Sequence, residues 1–354
     1  MNKIIDFRSD TVTLPTDQML NAIKNADLGD DVFQEDPTIN KLEKKAANLM
    51  GKESALLVPS GTMGNLISIL VHCPRGTEII LGDKAHTFYY EAGGISAFGG
   101  IHSRQLKNQA DGTLKVDDIL SAIRKDNVHF PKTSAITLEN THNLCNGSPL
   151  SSNYCNTVAK IADDNNIKLH IDGARIFNAS VALNENVKKL VENIDSLTFC
   201  LSKGLSSPVG SIICGEEKFI YECRRIRKAL GGGMRQAGII AAAGIVSLDT
   251  MIDQIKKDHI NAKKLAEGIS YIDGLSIDLE NINTNILYFD IDPQRRSDYL
   301  NKQTLKNCIY PSEIKLNNIH FFESYKNRFR LVTHSGINES DVEKLLSALK
   351  KIVK

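Results

Sequence analysis

Three short segments set reactive side chains where apolar runs end. Ser202-Lys203-Gly204 follows the run 196–201. A lysine at the end of a buried strand is poorly solvated, which disfavours its ammonium and frees a nucleophilic amine. Schiff-base chemistry needs such an amine. The same lysine could equally send its ammonium to solvent. Leu169-His-Ile-Asp-Gly-Ala-Arg175 ends a second run in a carboxylate, Asp172, with Arg175 three residues on. Asp172 suits a helix cap, or a ligand, because open α/β sheets bind ligands at the carboxyl ends of their strands. Val58-Pro-Ser-Gly-Thr-Met-Gly-Asn65 is an apolar run, a small-residue turn and then helical spacing. Its Gly61 and Thr62 amides, with the Ser60 and Thr62 hydroxyls, would face an anion well. Ser-Gly-Thr also opens ordinary helices, and no Gly-Lys-Ser/Thr follows to make a Walker loop.

An amine, a buried acid and an anion cup are together what pyridoxal phosphate (PLP) requires. An acid opposite its pyridine nitrogen keeps the ring protonated, and the ring then acts as an electron sink. Asp172 is the candidate acid, and Arg175 can bond the ring's phenolic oxygen. His86 closes Gly82-Asp-Lys-Ala-His86 behind the run 78–81. An imidazole there can stack on a planar ring or act as a base, or it is a plain loop histidine. Arg8, Arg235 and Arg330 have no partner evident in the sequence, and a bidentate arginine is the usual anchor for a substrate carboxylate.

These positions need a scaffold of alternating strands and helices. Strands are predicted at 55–58, 78–81, 135–138, 169–171, 196–201 and 210–214, with helices at 62–72, 116–125, 152–165 and 186–191 between them. Such alternation predicts a doubly wound, mainly parallel sheet covered on both faces. Beyond residue 215 the pattern changes to helices at 216–230, 236–248 and 249–269, a strand at 285–291, a helix at 297–307, a strand at 328–333 and a helix at 339–352. We read a large domain over residues 1–250 and a smaller C-terminal α+β domain over 251–354.

With 43 basic against 42 acidic residues, nothing basic is left over for nucleic acid or an anionic membrane. No apolar run is long enough to span a bilayer, and the N-terminal residues lack a secretory signal. The seven cysteines form no Cys-x-x-Cys pair, and several lie in apolar runs. A reducing, cytoplasmic setting is therefore expected. No metal-ligating set is read.

Several motifs, in order along nearly the whole chain, resemble those of the low-specificity L-threonine aldolases. They are Arg8-Ser-Asp-Thr-Val-Thr13, Glu139-Asn-Thr-His-Asn143, Asp172-Gly-Ala-Arg-Ile-Phe-Asn178, Ser202-Lys-Gly204 with Pro208-Val-Gly-Ser211, Gly231-Gly-Gly-Met-Arg-Gln236 and Arg330-Leu-Val-Thr-His334. The resemblance implies the aspartate-aminotransferase-like fold, with a mainly parallel seven-stranded sheet in the large domain. It implies PLP-dependent cleavage of L-threonine or L-allo-threonine to glycine and acetaldehyde. Lys203 would carry PLP, Asp172 would partner its ring nitrogen and Arg175 would accompany it. Gly61 and Thr62 would form the phosphate cup, with Arg235 and Lys228 as basic residues near the phosphate. His86 would stack on the ring. Ser9, His142 and Arg330 would bind substrate, Arg330 at the carboxylate, and His86, His142 or a water would be the β-hydroxyl base. A homodimer or homotetramer is implied.

Two departures stand out. Gly29-Asp-Asp-Val32 is followed by Phe33-Gln34 where the family has Tyr-Gly, and 309–328 is a long stretch with no functional reading. Another PLP lyase of the same superfamily, β-eliminating or serine hydroxymethyltransferase-like, is the alternative enzyme. A non-catalytic PLP-binding protein would be expected to lose Lys203 or to gain a DNA-binding module.

Overall fold

The structure, a computed structural model, describes residues 3–297, 300, 304–305, 312–316 and 318–353. It divides into two compact units, Pro15–Ile252 and Met1–Leu14 with Asp253–Lys354. In chain order the strands are β1 (Ile5–Asp6), β2 (Ser54–Val58), β3 (Glu78–Gly82), β4 (His102–Leu106), β5 (Thr133–Glu139), β6 (Lys168–Asp172), β7 (Ser196–Cys200), β8 (Ser211–Gly215), β9 (Leu275–Ser276), β10 (Ile286–Ile291), β11 (Thr304–Leu305), β12 (Ser312–Leu316), β13 (Ile319–Tyr325) and β14 (Arg328–Val332).

In the larger unit seven strands run in the order β2-β8-β7-β6-β5-β3-β4. The pairs β4–β3, β3–β5, β5–β6 and β6–β7 are parallel, while β8 runs antiparallel to both β7 and β2. A parallel sheet covered on both faces reads as unbroken apolar sequence. Accordingly β3, β7 and β8 are buried at every position. The edge strand β4 is His-Ser-Arg-Gln-Leu, half exposed, and carries no apolar signature.

Helix Gly61–His72 lies close on this sheet. Ser60 caps it by accepting a hydrogen bond from the Met63 amide at 3.2 Å. At Gly64 a β-carbon would stand 2.6 Å from Thr198 Cγ2 of β7, so only glycine allows this approach. Helix Pro37–Met50 starts with an Asp36 cap and a proline in its first turn and stops at Gly51, whose φ is 67°.

Burial lowers the pKa of His170, on β6, to about 3, and that of His72, which ends the helix Gly61–His72, to about 4. Both rings are therefore neutral when folded and titrate near 6.5 when unfolded. Stability from this source is complete above that value. It falls with pH by about 1.4 kcal/mol per pH unit for each histidine, until the folded values are reached. We expect urea midpoints that are flat above pH 7 and clearly lower at pH 5. A His72→Phe variant whose midpoint drops as much as the parent's between pH 7 and pH 5 would show that this ring is not buried as a neutral group, since Asp258, raised by burial to about 7 and acting in the opposite sense, is common to both.

In the smaller unit the sheet order is β11-β12-β13-β14-β10-β9, with β1 parallel to β13. Its core gathers Ile5, Phe7, Phe289, Phe321 and Phe329 with apolar residues of helices Ile252–Ser270 and Glu339–Ile352. The second helix begins with a reciprocal capping box between Asn338 and Asp341. The N-terminal segment, grouped with the large domain from sequence, thus has its strand pairing in the smaller unit. Residues Ser312–Leu316 and Ile319–Tyr325, within the stretch that gave no reading, form a hairpin. Of the helix predicted at 297–307, Thr304–Leu305 is a strand, and apart from Ser297 and Leu300 the rest lies outside the described residues. The six described cysteines are free and buried. Among the described residues no single helix is long and apolar enough to cross a membrane.

Candidate active site

The register of the larger sheet sets one edge for most of the predicted positions. Glu139 pairs with Asp172 and Asp172 with Thr198. Cys200 pairs with Ser211, and Ser211 with Val58. The carboxyl ends of β2, β5, β6 and β7 therefore lie side by side, and that of β3 belongs to the same parallel set. From this edge emerge Gly61 and Thr62 after β2, His86 after β3, His142 after β5, Asp172 at the end of β6 and Lys203 after β7.

Asp172 is 3% exposed, and its Oδ1 accepts the Ala174 amide at 3.1 Å. Arg175, also buried, occupies the cap position of helix Ile176–Leu183. Gly61 and Thr62 open their helix, so their amides have no acceptor one turn earlier. A β-carbon on Gly61 would lie 2.9 Å from Cys200 Sγ, and the turn admits no larger residue without a shift. Lys203 is partly exposed in a turn pinned by Ser206 N to Lys203 O at 2.8 Å and Ser207 N to Leu201 O at 3.0 Å. The glycine loop after helix Glu217–Ala229 runs beside the same helix start, since a β-carbon at Gly232 would be 2.4 Å from Met63 Sδ. Lys228 is exposed in the last turn before that loop. Arg235 is exposed beyond it and donates to Asp30 Oδ2 at 2.9 Å.

The histidine loops share a support that sequence alone did not single out as a site residue. Glu139 accepts the His86 amide on Oε2 at 2.7 Å and the Asn143 amide on Oε1 at 2.8 Å. One buried carboxylate thus holds both loops to the end of β5. His142 is 1% exposed, and neither of its ring nitrogens has a hydrogen-bond partner among the described residues. Its Nε2 stands 3.9 Å from Glu139 Oε2.

His86 differs, because its Nδ1 is 2.8 Å from Glu91 Oε1. Glu91 was also not found from sequence, and its only signal is a carboxylate five residues beyond His86. One ligand-type atom each of His86, Glu91 and Asp172 lie within 4.8 Å of one another. Burial opposes charging of His86, but the Glu91 hydrogen bond with the Asp172 and Glu139 carboxylates outweighs it, and its pKa is raised. Burial also raises the pKa of Glu91, with the His86 hydrogen bond opposing and the Asp172 charge adding to it.

The remaining predicted residues belong to the smaller unit. Ser9 caps the short turn Asp10–Val12, accepting the Thr11 amide at 3.3 Å. Arg330, on β14, is 9% exposed and donates from Nη1 to the Arg8 carbonyl at 2.8 Å, next to Ser9. Arg8 has a structural duty of its own, a two-pronged ion pair with Asp6. Phe33 is 67% exposed on the turn Asp31–Phe33.

The donor set fits PLP. It has an amine at a strand end, a buried carboxylate beside a buried arginine, an anion-facing helix start and an imidazole, all on one sheet edge. The model of the beta-eliminating lyase family matches residues 6–292. Low-specificity L-threonine aldolase 1 of Arabidopsis thaliana is 46% identical over 350 residues, covering 98% of this chain and 96% of that protein. Low specificity L-threonine aldolase of Escherichia coli K12 is 44% identical over 285 residues, 80% of this chain and 84% of that one. Among solved structures, Leishmania major threonine aldolase superposes with a TM-score of 0.78 at 16% identity, covering 99% of this chain and 100% of that chain, which shows a shared fold.

Proposed function

We propose that this chain, which belongs to the beta-eliminating lyase family and to the low-specificity L-threonine aldolases within it, is a PLP-dependent lyase that cleaves L-threonine or L-allo-threonine to glycine and acetaldehyde. The observation that carries the substrate class is His142. A fully buried imidazole with two open nitrogens needs a polar partner, and none of the described residues supplies one within hydrogen-bond distance. The hydroxyl of a β-hydroxy amino acid is such a partner.

Lys203 would hold the cofactor through its side-chain amine. Gly61 and Thr62 take the phosphate, with Lys228 and Arg235 as nearby positive charge. Asp172 would keep the ring nitrogen protonated, Arg175 would accompany it at the ring, and His86 would stack against it. Bound PLP supplies an electron sink for the breaking Cα–Cβ bond. Arg330 and Ser9 orient the substrate carboxylate, and such positioning contributes much of the rate. His142 takes the β-hydroxyl proton.

The test is acetaldehyde release from L-threonine and L-allo-threonine by the PLP-loaded protein. Release from either supports the reading. Pyruvate and ammonia from serine, with no acetaldehyde, would replace it with β-elimination. We propose a homo-oligomer as the working form. Light scattering of the same preparation gives its mass. A cytoplasmic location suits the free, buried cysteines.

A further inference from the structure

His86 is the visible end of a longer arrangement. Glu91 Oε1, which faces His86 Nδ1 at 2.8 Å, also receives Asn65 Nδ2 at 2.9 Å. Asn65 Oδ1 is 3.3 Å from His170 Nε2. His170 Nδ1 is 2.8 Å from Ser196 Oγ, which is 2.7 Å from His72 Nε2. Asn65, His170 and Ser196 are at most 1% exposed, and Glu91 is 5%. The far ring, His72, is stacked on Phe219 with centroids 4.5 Å apart.

Followed through these side-chain contacts, the chemistry of each group gives one direction, with the Ser196 carbonyl as a further acceptor beside His170. A carboxylate only accepts, so Asn65 turns its amide nitrogen to Glu91 and its oxygen to His170. That oxygen only accepts, so His170 carries its proton on Nε2 and leaves Nδ1 bare. Ser196 must then donate to His170 Nδ1, which leaves its oxygen to accept from His72 Nε2–H. At the other end, His86 must donate from Nδ1.

We propose that Glu91, Asn65, His170, Ser196 and His72 are positioning residues, forming one hydrogen-bonded chain of fixed polarity that keeps a proton on His86 Nδ1 and confines proton exchange to its Nε2. This rests on the reading of His86 as a site residue. The charged groups around that ring are Glu91, Asp172 and Glu139. All three are carboxylates, so they favour a proton on the ring, but only Glu91 is bonded to Nδ1. A ring lying on a cofactor therefore meets it with a defined orientation and a single titrating nitrogen.

The test uses the holoenzyme labelled with 15N-histidine, its nine histidines assigned with single His→Phe variants. Long-range 1H–15N spectra are expected to show His72 and His170 as Nε2–H rings with bare Nδ1, and neutral His86 as the opposite form. A His86 protonated on Nε2 alone, or a His170 protonated on Nδ1, overturns the proposal. Glu91→Gln keeps an acceptor oxygen, so His86 should retain its Nδ1 proton and kcat should stay within a few-fold. Glu91→Leu removes it, so the two His86 tautomers should mix, with kcat down roughly 10- to 100-fold. Equal behaviour of the two variants, in tautomer and in kcat, would make Glu91 merely structural and also overturn it. The tautomer signals are read without substrate. Their failure removes the chain and leaves the substrate reading standing, whereas absent acetaldehyde release with the signals intact does the reverse.

Discussion

Lys203→Ala is expected to abolish acetaldehyde release, lowering kcat by at least about a thousandfold, and to remove the visible absorbance of covalently held cofactor. The loss should be purely chemical. The turn that carries Lys203 is held by backbone bonds, Ser206 N to Lys203 O, Ser207 N to Leu201 O and Leu201 N to Gly210 O. None of them uses the amine, so the turn should keep its backbone shape in the variant. PLP should still associate reversibly, because the helix start at Gly61 and the Asp172–Arg175 turn remain. Substantial cleavage by the variant would mean that another amine, or no amine, carries the chemistry.

Lys203, Asp172 and the Gly61 turn were legible in sequence because each ends a strand whose residues are buried on both faces. Such strands are short apolar runs, and the first polar residue after them marks the sheet edge. The predicted central strands match the observed ones to within one or two residues. β4 was missed for the same reason in reverse, since an edge strand half in solvent can be built from His, Ser, Arg and Gln. Residues 309–328 gave no reading because a hairpin of the smaller sheet mixes aromatic and polar residues without a clear period.

The support of the site was less legible than the site itself. Glu91 and Asn65 meet across 26 positions, one in a bend between two short helices and the other inside the helix Gly61–His72, so no local spacing announces them. Glu139 lay inside a recognised motif, yet only the fold shows that its two oxygens hold the His86 and Asn143 amides. Arg8 taught the opposite lesson. It was grouped with arginines free to meet a carboxylate, and it pairs with Asp6, a contact two residues away.

His142→Phe sets function against stability. His142 Nδ1 and Nε2 are buried and have no hydrogen-bond partner among the described residues, and each such group costs about 1–3 kcal/mol. The ring is held in place by others. Its amide donates to the Ser148 carbonyl at 2.9 Å, and Gly112 packs so closely that a β-carbon there would lie 2.7 Å from His142 Cβ. Phenylalanine has nearly the same shape and no polar atoms to desolvate. The variant without substrate should therefore melt higher than the parent, by a few degrees. Its kcat should fall by roughly 10²- to 10⁴-fold, the usual worth of a positioned base, while PLP occupancy, set by other residues, stays within a few-fold. A raised melting temperature with collapsed turnover would identify His142 as a group kept polar for its substrate. An unchanged kcat would pass the role of base to His86 or to a water. A lowered melting temperature would show that the imidazole has a structural partner after all.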